Sequence, residues 1–99
     1  MKTGIELITA ERERQLTQEG WTPENDAKYI EGELRDAAIA YAMVCDPRAG
    51  DTAHSIFPWE PEWFKTGPDE QVDEIRCLTK AGALIAAEID RLQRQSARA

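Results

Sequence analysis

The chain has 99 residues, 41% apolar and 31% charged, with a net charge of −7, a size that fits one domain, residues 1–99, with a core of modest area. Three arginines lie in the last nine residues, so the first ninety set nine cations against nineteen carboxylates, an acidic body that repels nucleic acid and offers no basic patch outside the tail. There is no signal peptide and no run of about 18 apolar residues, and Cys45 and Cys77 stand alone without paired spacing, which predicts a cytoplasmic protein with reduced thiols and no membrane partner.

A first helix is predicted from Ile5 to Glu19, with Thr3 as its cap and Gly20 as the residue that ends it. Its apolar stripe is thin: Ile5, Ile8 and Leu16. Arg12 projects from the middle of that stripe, where a leucine would be the expected filler. Two readings stand. Either the side chain runs along the core edge and sends its guanidinium to water, or Arg12 is partly buried and answers a carboxylate of another helix or an anionic ligand. Thr22 followed by Pro23 and Glu24 marks the start of a helical turn, with Trp21 placed to fold back on it. Asp26 reads as a second cap, ahead of the main helix.

That second helix is predicted from Asp26 to Val44, burying Ile30, Leu34, Ala37, Ala38, Tyr41 and Cys45. Beside the stripe run Asp26, Tyr29, Glu33 and Asp36, which either face solvent and pairing cations or converge their oxygens on one edge of an interhelical groove. From Asp46 to about Asp69 the periodicity disappears under six prolines and glycines, so a long loop is expected. Phe57, Trp59, Trp63 and Phe64 argue that it is ordered, either as a strap covering an open end of the core or as a surface for stacking and partner binding, with Trp59 and Trp63 as the anchors. His54 has no companions and takes no role.

The third helix begins after Pro68, with Asp69 or the acids Glu70, Asp73 and Glu74 in its first turn, and ends near Arg94. Ile75, Leu78, Gly82, Ile85, Ile89 and Leu92 fall at alternating steps of three and four and are read as its core face. A second flank, Cys77, Ala81, Leu84 and Glu88, widens the apolar arc and is expected to meet the strap or another subunit. Lys80 points away and is read as solvated. The architecture expected is all-α: a three-helix bundle-like domain with a long aromatic loop between helices two and three, forming a homo-oligomer.

The series ERxRQ at Glu11–Gln15, EGWTPE at Glu19–Glu24, GEL at Gly32–Leu34 and LxKAGALIxAEIxRL at Leu78–Leu92 resembles a group of small phage and prophage proteins over nearly the whole chain. The resemblance implies a phage accessory protein that binds a host protein or small ligand, acting on host defence or metabolism, and it implies no reaction. Members often carry D-D-x-H where this chain has Asp26-Ala27-Lys28-Tyr29. Ala27 and Tyr29 thus remove two metal-ligand candidates, and no cofactor is expected. A weaker similarity, of Glu33-x-x-Asp36 to the E-x-x-D element of MazG-type all-α nucleotide pyrophosphohydrolases, implies an alternative: magnesium on Glu33 and Asp36, Arg12 on phosphate, and Trp59 or Trp63 stacked on the base. The candidate ligand-binding set is therefore Arg12, Asp26, Glu33, Asp36 and Glu88.

Overall fold

The computed structural model describes residues 1–67 and 72–98, and among them there is no strand. Five α-helices follow one another: α1 Gly4–Gln18, α2 Pro23–Asp26, α3 Glu33–Met43, α4 Gly50–Ile56 and α5 Glu74–Arg98, with a 3-10 turn at Pro61–Trp63 before the last. No helix among the described residues is long and apolar enough to cross a membrane.

Local chemistry sets the helix ends. Thr3 and Glu6 form a reciprocal capping box at α1: the Glu6 amide donates to Thr3 Oγ1 at 3.2 Å and the Thr3 amide to Glu6 Oε1 at 2.9 Å. Gly20 ends α1 in the left-handed region at φ 72°, where a side chain would be strained. Thr22 caps α2, accepting from the Asn25 amide, with Pro23 in the first turn. Asp73 caps α5 by accepting from the Arg76 amide at 3.1 Å. The expected roles of Asp69 and Glu70 lie outside the described residues.

Two expected boundaries are corrected. The main central helix starts at Glu33, not Asp26, because Gly32 sits at φ 87° and interrupts the helix between α2 and α3. Ile30, expected in the core, falls in the connecting turns and is exposed. The segment expected to be a loop from Asp46 to Asp69 contains α4, whose Ala53 is fully buried. Seven residues between Ala49 and Phe57 suffice for two turns without a proline, and the spacing of the surrounding prolines hid them.

The core lies between α3 and α5, with α1 also packed on α5 and α4 on α3. Small side chains dominate it: Ala37, Ala38 and Ala40 of α3 against Cys77, Ala81 and Ala87 of α5, with Leu34 and Leu84 as the largest fully buried apolar groups. The close approach that alanines permit is visible also at Gly82, where a Cβ would lie 2.5 Å from Ile8 Cδ1 of α1. Phe57 and Phe64 close one end of this core, stacked at 4.5 Å, each with Tyr41 edge-on to it.

The largest correction concerns which way α5 faces. Ile75, Leu78, Ile85, Ile89 and Leu92, expected to be the core stripe, are 42–69% exposed, and the flank expected to meet the aromatic strap or another subunit, Cys77, Ala81, Leu84 and Glu88, is the face buried within the chain. Lys80, expected in water, is turned inward with it and is only 7% exposed. The close approach of α3 and α1 selects the small side chains of the helix, and the β-branched and leucine side chains are too bulky for that spacing.

Candidate functional site

Between α1, α3, α5 and the aromatic segment lies a cavity of about 280 Å³, near the lower end of the size range of small-molecule sites. Glu11, Arg14 and Glu19 form one wall, Trp21, Tyr41 and Trp63 another, and Lys80 and Leu84 of α5 a third, with Gln15 and Lys65 completing it. Helix geometry explains the first wall. Glu11, Arg14 and Gln15 sit at steps of three and four, so Arg14 grips both oxygens of Glu11 at 2.8 Å and the Gln15 amide donates to Glu11 Oε2 at 3.1 Å. Arg14 reaches Glu19 as well, at 2.8 Å.

The electrostatics follow from these contacts. Burial pushes the Glu11 carboxyl up, but the Arg14 hydrogen bonds and charge and the Gln15 amide outweigh it, and Glu11 ionises below its ordinary range. Arg14 also holds Glu19 low, and the two carboxylates hold Arg14 charged. Burial pushes the Lys80 ammonium down; Glu11 opposes this without cancelling it, and Arg76 and Arg14 add to the lowering. The Lys80 Nζ lies 5.6 Å from the centroid of the Tyr41 ring and makes no hydrogen bond or ion pair among the described residues. Tyr41 is fixed in turn: its hydroxyl donates to the Trp63 carbonyl at 3.4 Å and accepts from the Lys65 amide at 3.2 Å, while burial pushes the phenol up to about 12.

Arg14 is therefore spent on its two carboxylates, and Lys80 is the buried cation left to answer a ligand. Three cations against two carboxylates leave the lining one positive charge in excess. Among the described residues no Ser, Thr, Cys or His lines the cavity. The arrangement suits holding a small anion against aromatic walls.

The residues singled out from the sequence are dispersed. Arg12 is partly buried and donates to Asp26 Oδ2 at 2.9 Å, which settles its two readings in favour of a carboxylate partner from another helix. Asp26, expected as a cap, is fully buried instead; burial raises its carboxyl although Arg12 opposes the rise, and its Oδ1 has no hydrogen-bond partner among the described residues. Glu88 pairs with Arg91 at 2.6 Å and approaches Arg35 at 3.7 Å. Glu33 turns back to accept from the Glu31 amide at 2.7 Å, and Asp36 sits half-buried on α3 away from the cavity lining. No group of three or more potential metal ligands occurs among the described residues. Trp59 packs inward against Trp21, Tyr29 and Phe57 at 5.2–5.7 Å, and Trp63 is 55% exposed at the cavity mouth.

Sequence reasoning missed Glu11, Arg14 and Lys80 as a set. The signal was present: Lys80 lies three residues after Cys77 and four before Leu84, on the stripe that the structure buries. Comparison of the chain with protein-family models finds no match, and comparisons with curated proteins and with solved structures find none either.

Proposed function

We propose that this protein is a small non-enzymatic binding protein whose ligand is a monoanion with a flat apolar body, taken up in the cavity beside Lys80. The reading rests on a single observation: a lysine that is 7% exposed, with no hydrogen bond or ion pair among the described residues, facing a cavity walled by Trp21, Tyr41 and Trp63. Drawing an ammonium most of the way out of water without a fixed acceptor is costly. A carboxylate or a singly charged phosphate ester would restore the missing hydrogen bonds, and the rings would bury its body. In this reading α1, α3 and α5 act as a three-helix frame that the aromatic segment closes, and the resemblance to phage proteins makes the natural role that of an accessory protein in the host cytoplasm.

The alternative of a triphosphate held through magnesium has less support. A single excess positive charge matches one anionic group rather than three, and Glu33, Asp36 and Glu88 do not converge, since Glu33 and Glu88 are engaged elsewhere. A thermal-shift panel separates the two readings. Small aromatic carboxylates are expected to raise the melting temperature of the wild type and not of Lys80→Met, whereas their neutral amides should do neither. Stabilisation by nucleoside triphosphates that requires magnesium, with none by monoanions, would reverse the assignment.

A further inference from the structure

The exposed side of α5 is not a scatter of apolar residues. Ile75, Leu78, Gly82, Ile85, Ile89 and Leu92 repeat every three and four residues over about 27 Å of helix, the a and d positions of a heptad seam. The seam is widened from both sides. Ile8 of α1 lies across Gly82 with exposed Ile5 one turn before it, and exposed Ile39 lies one turn along α3 from Arg35, which reaches Glu88. Two partly exposed positions beside the seam, Thr79 and Ala86, are small and leave room for a second helix to approach.

We propose that a second copy of this chain docks on this face, with the two α5 helices antiparallel about a two-fold axis that passes between Gly82 and Ile85. Three arguments select this occupant. A heptad seam is self-complementary, which a two-fold homodimer requires. The five exposed aliphatic side chains of the seam leave on the order of 400 Å² in water, a patch of the size that is often a functional surface. With the flanking residues, two such faces approach the roughly 1,200 Å² at which specific interfaces begin. The antiparallel sense follows from Ile8, which fills the space over Gly82. A parallel pair would set the two Ile8 side chains against each other across the seam, whereas in the antiparallel pair each Ile85 lies against the partner's Ile8, Leu78 meets the partner's Ile89 and Ile75 meets the partner's Leu92. The helix dipoles then also oppose each other favourably. None of these residues lines the cavity, so the dimer stands or falls independently of the ligand.

The test is mass by light scattering across a dilution series. The full chain is expected near twice its 11.2 kDa at about 100 µM, falling toward the monomer on dilution. Ile85→Glu should be monomeric throughout with unchanged helical circular dichroism, because the side chain it replaces is half-exposed in one copy. A wild type that is monomeric at the highest concentration overturns the proposal, including the case in which it binds an apolar dye and thus reserves the face for a foreign partner. So does an Ile85→Glu variant that remains dimeric. Should that variant unfold, oxidative cross-linking of mixed chains decides: Leu78→Cys with Ile89→Cys should yield the mixed disulfide in preference to either self-pair, and a preference for self-pairs overturns the antiparallel arrangement.

Discussion

The two faces of α5 reverse the usual assignment of residue types. The side toward α1 and α3 buries Cys77, Ala81 and Ala87 together with the charged groups Lys80, Glu88 and Arg91, and the side toward water carries Ile75, Leu78, Ile85, Ile89 and Leu92. Hydropathy ranks the second face as the core, and by that measure alone the helix would be turned by about half a revolution. Packing distance decides otherwise within one chain. Alanines let α3 lie close, and the charged groups on the buried side find partners or a cavity. A hydrophobic pattern thus marks an apolar face without deciding whether the chain's own fold buries it.

The sharpest way to break this comparison is to truncate neighbours on opposite faces. Leu84→Ala, at 0% exposure, is expected to cost about 2–5 kcal/mol in chemical denaturation at any protein concentration. Ile85→Ala, one residue on, should cost under ~1 kcal/mol in dilute solution, since half of the side chain is already wet. Its cost should grow with protein concentration if a second copy covers it. Equal, concentration-independent costs would mean that both faces are interior.

The charged pair on the buried face gives the next effect. Glu88→Ala removes the carboxylate from Arg91, which is 7% exposed, takes both oxygens of Glu88 at 2.6 and 3.2 Å and keeps a 3.2 Å bond to Gln95 Oε1. Loss of about 2 kcal/mol is expected, below the value for a sealed pair because Glu88 also faces the exposed Arg35. Replacing both residues by leucine should recover most of it. A double variant as unstable as the single one would show that the pair is held for its geometry and not merely tolerated.

These contrasts also mark what could be read beforehand. The ends of α1 followed from Thr3 and Gly20, and the turn at Thr22-Pro23 from its capping chemistry, because caps are local and depend on few residues. The start of α3 was misplaced although Gly32 was in view, since periodicity through Ile30 outweighed a single glycine whose positive φ only the fold requires. Arg12 was legible as a misfit, but its partner was not. Glu33 and Glu88 looked available on the helical wheel; Asp26 looked like a cap, and the structure engages all three differently. The cavity could not be found at all from stripes drawn through Ile75 and Ile85, because that choice points Lys80 to solvent.

A weaker, pairwise effect separates the two readings of Arg12 in solution. In a double-mutant cycle, Arg12→Leu and Asp26→Asn should be coupled by about 1 kcal/mol, given the 2.9 Å contact and the fully buried carboxylate. Coupling of Arg12 with Glu88 should stay within about 0.5 kcal/mol, the scatter of independent sites. Because burial raises the folded-state Asp26 carboxyl, Asp26→Asn should also lose its advantage, or gain in cost, as the pH falls and the wild-type carboxyl becomes neutral.

The smallest expected effect tests the claim that the buried face tolerates Lys80 only as a site. The folded protein lowers the Lys80 pKa from its ordinary 10.5, so the folded chain holds this proton less firmly than the unfolded one. Below the lowered value the ammonium is charged in both states and its desolvation destabilises the fold in full; above about 10.5 it is neutral in both and the penalty is gone. Lys80→Met, similar in volume, should therefore stabilise the ligand-free protein by less than ~1 kcal/mol near neutral pH, the contact with the Tyr41 ring offsetting part of the burial cost. That advantage should vanish as the pH approaches 10.5. The comparison is made between the two proteins at each pH because the Cys77 thiol, pushed up to about 11 by burial and its Cys45 neighbour, adds a pH dependence of opposite sign common to both. With a bound monoanion the order reverses: the wild type gains stability, and its affinity declines through the same pH window as the lysine loses its proton. A Lys80→Met protein that is less stable than the wild type without ligand would mean that the lysine already has its partner within the fold, and the cavity would lose its claim to a ligand.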